Sequence, residues 1–133
     1  MISRDELMSG FDFDSLPSNQ QYNIGVLLDR VNKIRTLWNK PMIVTSGYRS
    51  MKHHLEIYAA KGITDPKRIP MQSKHLTGEA VDISDPNLEL TKWLKENDSQ
   101  RLKDVLLWCE EGNANWTHFQ ITPPKSGNLW FLP

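Results

Sequence analysis

The chain of 133 residues has 38% hydrophobic content and five Trp, enough for one compact domain with a core and too little for two. Sixteen Lys and Arg balance sixteen Asp and Glu, which excludes a global field drawing the chain to nucleic acid or an anionic membrane surface. No apolar stretch approaches the roughly 20 residues that span a bilayer, so membrane insertion is not expected, and the lone Cys109 excludes an internal disulfide.

Residues 1–14 mix Arg4, Asp5 and Glu6 with few apolar side chains and lack the basic start and apolar middle of a secretory signal. They are expected to form a peripheral segment of a chain made in the cytoplasm. After Ser15, Leu16 and Pro17, apolar residues at Ile24, Leu27, Leu28, Val31, Ile34 and Leu37 follow the helical period and predict a helix with one buried face, ended by Pro41. Met42, Ile43 and Val44 read as a short buried strand running into Ser46, Gly47, Tyr48 and Arg49. Residues 51–61 predict a second helix with Leu55, Ile57 and Tyr58 as its apolar part, and 62–72, with two prolines, a loop.

Residues 80–84 alternate as a strand, with Val81 and Ile83 facing a core and Ala80 and Asp82 facing outward. A short helix from Leu88 to Lys95 follows. Residues 105–110 and 116–122 predict two strands joined by a loop over 111–115, and 123–133 an extended tail whose Trp130 and Phe131 cover the domain edge. The sum is an α+β domain over residues 1–133, with helices packed on a small, mostly antiparallel sheet.

His75, Asp82 and His118 are three nitrogen or oxygen donors at strands or their mouths, where rigid backbone can fix metal geometry. In the final hairpin Trp116, His118 and Gln120 share one face, so Asp82 and His118 can look into the same cleft. Three protein ligands leave one tetrahedral position open, the pattern of a catalytic rather than a structural zinc site, and the absence of a thiolate partner argues against a zinc finger.

The string Ser73, Lys74, His75, Leu76, Thr77, Gly78, Glu79, Ala80, Val81, Asp82, with Ser46 to Ser50 upstream and Trp116, Thr117, His118 downstream, resembles the D-alanyl-D-alanine carboxypeptidase family of zinc metallopeptidases. This is the VanY and VanX type, in the fold group that includes lysostaphin and the hedgehog signalling domain, and the likeness is greatest to short single-domain members of bacteriophages and prophages. The resemblance implies one zinc ion on His75, Asp82 and His118, Arg49 holding the substrate carboxylate or polarising the scissile carbonyl, and Ser73 touching substrate. A planar, permanently charged guanidinium suits either task for Arg49. Trp116 is expected to wall the pocket.

The implied activity is cleavage of the peptidoglycan stem peptide, as a D,D- or L,D-carboxypeptidase or an L-alanyl-D-glutamate endopeptidase, by a monomer. A phage endolysin released through a holin pore fits the resemblance. The family's general base often stands three residues before the last zinc His, and that position here is Asn115. Glu110 and Glu111 are the alternatives. A five-residue loop would pair Glu110 with Trp116 and put it on the face of His118, and Val105, Leu107 and Cys109 then point to the core together, which favours Glu110. A catalytically silent zinc-binding phage structural or wall-binding protein is the rival reading, supported by Asn115, and a purely structural metal site is a third. Of His53 and His54, adjacent on a helix, one is expected at the surface and one near the cleft.

Overall fold

A computed structural model describes residues 1–133. The chain runs through α1 (Arg4–Met8), α2 (Ser18–Trp38), β1 (Val44–Ser46), α3 (Met51–Ala60), β2 (Ala80–Ser84), α4 (Glu89–Val105), β3 (Trp108–Glu110), β4 (Trp116–Gln120) and β5 (Trp130–Phe131). The five strands form one sheet in the order β1-β2-β4-β3-β5, antiparallel except for the parallel β3–β5 pair. This is the α+β arrangement that the alternation of helical and strand periods predicts.

The register divides the sheet into two chemically distinct faces. Val81 pairs with Phe119, Ile83 with Thr117, and Phe119 with Cys109, so these side chains share the face on which α2 and α4 pack. Ile24, Leu27, Val31 and Ile34 of α2, at helical spacing, and Leu94 and Leu102 of α4 close the core there, each at most 1% exposed. At about 1.5 to 3 kcal/mol for each large apolar side chain removed from water, this face supplies most of the stability.

The other face carries a polar cross-strand row. Ser46 pairs with Asp82 and Asp82 with His118. The pairing of Trp108 with Gln120 and of Cys109 with Phe119 puts Glu110 opposite His118, and Glu110 pairs in turn with Phe131. One residue from each of the five strands therefore lies on one line.

Several sequence expectations change. The first 14 residues are not peripheral: Ile2, Leu7 and Met8 belong to the core, and the main-chain N–H of Tyr48 donates to the carbonyl of Leu7 at 2.8 Å. Asn39, in the left-handed conformation, ends α2 before Pro41 is reached, and Leu37 is exposed because the buried stripe has rotated away from it. The strand after it starts at Val44, with Ile43 exposed. In α3 the buried residue is His54, not the apolar Leu55.

The loop over 62–72 contains a short 3-10 turn at Pro66–Arg68. Beyond Lys95 a second helical stretch continues after an interruption at 96–99, where Asn97, Asp98 and Ser99 all take left-handed backbone. Asn97 and Asp98 are residue types that tolerate positive φ, and Ser99 is held there by accepting the indole N–H of Trp130 at 2.9 Å. Val105 therefore belongs to α4, and the strand begins at Trp108. Its pairing is two residues out of step with the expected Glu110–Trp116 match, and a slip of two preserves the face. The tail is extended, as expected, and its β5 closes the sheet edge.

Candidate active site

A cleft of about 680 Å³ opens over the polar row, and Arg49, Ser73, His75, Asp82, Glu110, Trp116 and His118 all line it. Every site residue singled out in the sequence thus meets in one place. Glu111 does not line it: its carboxylate accepts from Lys95 at 2.7 Å on the exposed side. Asn115 does not line it either, and its carbonyl accepts from the N–H of Asp85.

Donor atoms of His75, Asp82 and His118 all lie within 4.8 Å of one another, and the three side chains are buried. Asp82 and His118 come from paired strands. His75 comes from a 3-10 turn, Lys74–Thr77, that Ser73 caps by accepting the N–H of His75 at 3.3 Å. Gly78 ends this turn at φ 75°, and a Cβ there would strike the Ile24 side chain, so the sharp return from first ligand to β2 requires glycine. Ser73 itself lines the cleft.

The tautomers are legible from partners that can only accept or whose orientation is fixed. His75 Nδ1 lies 2.9 Å from the carbonyl oxygen of Gly47, so it carries the proton, and the lone pair of Nε2 faces Asp82 Oδ2 at 3.3 Å. The Gln120 amide donates to the carbonyl of Thr122 at 2.7 Å, which turns its oxygen toward His118 Nε2 at 2.9 Å. His118 Nε2 therefore carries a proton, and its Nδ1 faces Asp82 Oδ1 at 2.9 Å. In the neutral tautomers, two imidazole lone pairs and a carboxylate converge on one point, a geometry that calls for a cation. The donor set fits a divalent metal.

A proton can stand in for that cation. Burial presses the His118 pKa down, but the hydrogen bond to Asp82 and the charges of Glu110 and Asp82 outweigh it and raise it above the ordinary histidine value. Burial likewise pushes the Asp82 carboxyl up, and its bonds to His118 and His75 more than reverse this, holding it well below the usual carboxylate range.

Two charged groups flank the cluster. Glu110 Oε1 is 3.7 Å from His118 Nδ1 and accepts from the Asn113 side chain at 3.2 Å. Arg49 Nη2 is 3.8 Å from Asp82 Oδ2, its Nε donates to Ser46 Oγ at 2.9 Å, and its main-chain N–H donates to the carbonyl of His75 at 3.0 Å. Sequence reasoning did not reach the parts played by Gln120, Asn113 or the Gly47 carbonyl. Gln120 carried one signal: two residues from His118 on a strand, it shares that residue's face.

A three-donor N/O cluster in an open cleft, with one carboxylate and one guanidinium beside it, is the arrangement of a metal-dependent hydrolase. The chain belongs to the peptidase M15 family, whose model matches residues 2–120. The crystal structure of the L-Ala D-Glu endopeptidase ChiX of Serratia marcescens has the same fold, with a TM-score of 0.50 and 21% identity over 85% of this chain and 93% of that one. No curated protein gives a significant match.

Proposed function

We propose that the chain, as a monomer, hydrolyses a peptide bond of the peptidoglycan stem peptide, with one zinc ion held by His75, Asp82 and His118. The observation that carries this reading is the cross-strand row, which puts Asp82, His118 and Glu110 side by side under the cleft that His75 and Arg49 also line. Membership of the peptidase M15 family and the fold shared with an L-Ala D-Glu endopeptidase support it. Among the bonds of the stem peptide, that neighbour favours the L-alanyl-D-glutamate link over the D,D- and L,D-carboxypeptidase alternatives. Action as a phage endolysin at the cell wall, after holin-type release, rests on the likeness to short phage-type members.

Zinc bound by these ligands supplies a Lewis acid for the scissile carbonyl and lowers the pKa of water. The protein's own groups do the rest. Glu110 takes the proton of the attacking water and returns it to the leaving amine, so the C–N bond breaks as the new C–O bond forms and the proton count balances. Arg49 holds the substrate carboxylate through a fixed guanidinium, Ser73 donates a hydrogen bond to the peptide, and Trp116 walls the pocket.

The test is incubation of the zinc-loaded protein with purified peptidoglycan of several stem chemistries, with mass spectrometry of the released fragments, with and without chelator. Chelator-sensitive release of fragments ending or beginning at one stem-peptide bond is expected. No cleavage in any wall chemistry would overturn the reading in favour of the silent binding protein that Asn115 suggests.

A further inference from the structure

His54 is an odd residue to bury. It is the one buried side chain of α3, 0% exposed, and lies outside the lining of the cleft. Burying an imidazole is costly unless both ring nitrogens find partners, and here both do. Nε2 is 2.9 Å from the carbonyl oxygen of Pro70, which can only accept, so Nε2 carries the proton. Nδ1 is 3.4 Å from Arg49 Nη1, and a guanidinium can only donate, so Nδ1 presents its lone pair. The two ends specify the same neutral tautomer.

We infer that His54 is a positioning residue, which orients the Arg49 guanidinium by accepting one of its N–H bonds without neutralising its charge. The inference rests on the peptidase reading, in which Arg49 takes a substrate carboxylate. Three anchors then hold the fork: Ser46 Oγ on Nε, His54 Nδ1 on Nη1, and the more distant Asp82 Oδ2 at Nη2. Two of these are uncharged. A carboxylate in place of His54 would orient Arg49 equally well and compete with the substrate for it, whereas a neutral acceptor leaves the positive charge for the incoming anion. Burial, the largest influence on His54, lowers its pKa; the hydrogen bond to Pro70 opposes this, and the charges of Arg49, His75 and His53 lower it further, so the net shift is downward and favours the neutral ring.

Three variants separate this role from mere packing. His54→Asn puts an acceptor oxygen where Nδ1 stood and gives up the Pro70 bond. His54→Gln keeps a donor for Pro70 and gives up the acceptor. His54→Leu fills the space with neither. In the zinc-loaded full chain, kcat/KM on stem peptide is expected to fall about ten- to a hundredfold in the Gln and Leu variants, chiefly through KM, and to stay within about threefold in Asn. Zinc content is unchanged throughout. On an Arg49→Ala background the Leu substitution costs nothing further, which a loop-stapling role would not produce.

Nitrogen-15 NMR of the wild-type ring decides the matter even if a variant fails to fold, because it must show a single proton, on Nε2, at neutral pH. A proton on Nδ1, an Asn variant as damaged as Leu, or an undiminished Leu effect without Arg49 would overturn the inference while wild-type cleavage stood. If wild type neither cleaves stem peptide nor binds it by calorimetry, the peptidase reading falls and the positioning role falls with it.

Discussion

Glu110 stands opposite His118 across the β3–β4 ladder, with Oε1 3.7 Å from Nδ1, although the pairing is two residues away from the one that the loop length suggests. A slip of one residue would have turned Glu110 into the core and brought Cys109 to the metal cluster. The strand period, more than the loop, determines which acid meets the site.

For that reason Glu110→Gln is expected to retain zinc and lose about 10² to 10⁴ in turnover, the range for a general base. Glu111→Gln, which removes only the exposed pair with Lys95, should leave turnover within about twofold and shift stability by less than about 1 kcal/mol. Steady-state kinetics with metal analysis checks both.

Gln120 fixes the protonated nitrogen of His118, so Gln120→Leu should weaken zinc binding by about 10- to 100-fold, and Gln120→Glu should strengthen it. Competition with a chromophoric chelator measures this without any reference to activity.

Chelation should abolish cleavage and leave the far-UV dichroism intact. The core cluster of 16 buried residues is built on the opposite sheet face and includes none of the three metal donors. Unfolding on metal removal would instead mark a structural site, in which binding energy is folding energy.

Gly47→Ala should be costly at a distance. Its Cβ would fall on the main-chain carbonyl of Leu7, which cannot swing aside, so a loss of about 1 to 3 kcal/mol is expected in denaturant melts. Because the Gly47 carbonyl also accepts from His75, zinc affinity should fall in the same variant.

Acid should weaken the fold through His54. Its folded pKa is lowered from 6.5, chiefly by burial, so below about pH 6.5 the unfolded chain takes up a proton that the native ring resists. Its contribution is therefore present above that pH and is lost as pH falls through the folded value. In metal-free protein, the stability difference between wild type and His54→Asn should narrow or invert on going from pH 7 toward pH 5, as followed by urea melts.

The parts of the fold that were legible in the sequence are those where one period dominates. Residues 80–84 alternate cleanly, and the whole strand is where the sequence reading placed it. The three candidate metal donors were legible less from their strand positions than from the string around them, Ser73 to Asp82 with Trp116 to His118, and its likeness to a zinc peptidase family. The N-terminal segment misled because a five-residue helix has too few apolar positions to show a period, yet Ser3 and Glu6 form a capping box whose spacing was there to be read. His54 was hidden for a different reason: which side of a short helix is buried depends on what it packs against, and Arg49 and Pro70 draw a polar ring inward past Leu55. The interruption at 96–99 rests on Trp130, 31 residues further along, and no local pattern announces such a partner.

The match to the family ends at residue 120, whereas Pro124, Phe131, Leu132 and Pro133 form one wall of the cleft. The candidate donors and Glu110 therefore lie within the matched residues, and part of the cleft lining lies beyond them. Because Phe131 also pairs with Glu110, the tail couples the cleft lining to the candidate general base, and replacing residues 121–133 is expected to alter peptide preference and turnover together.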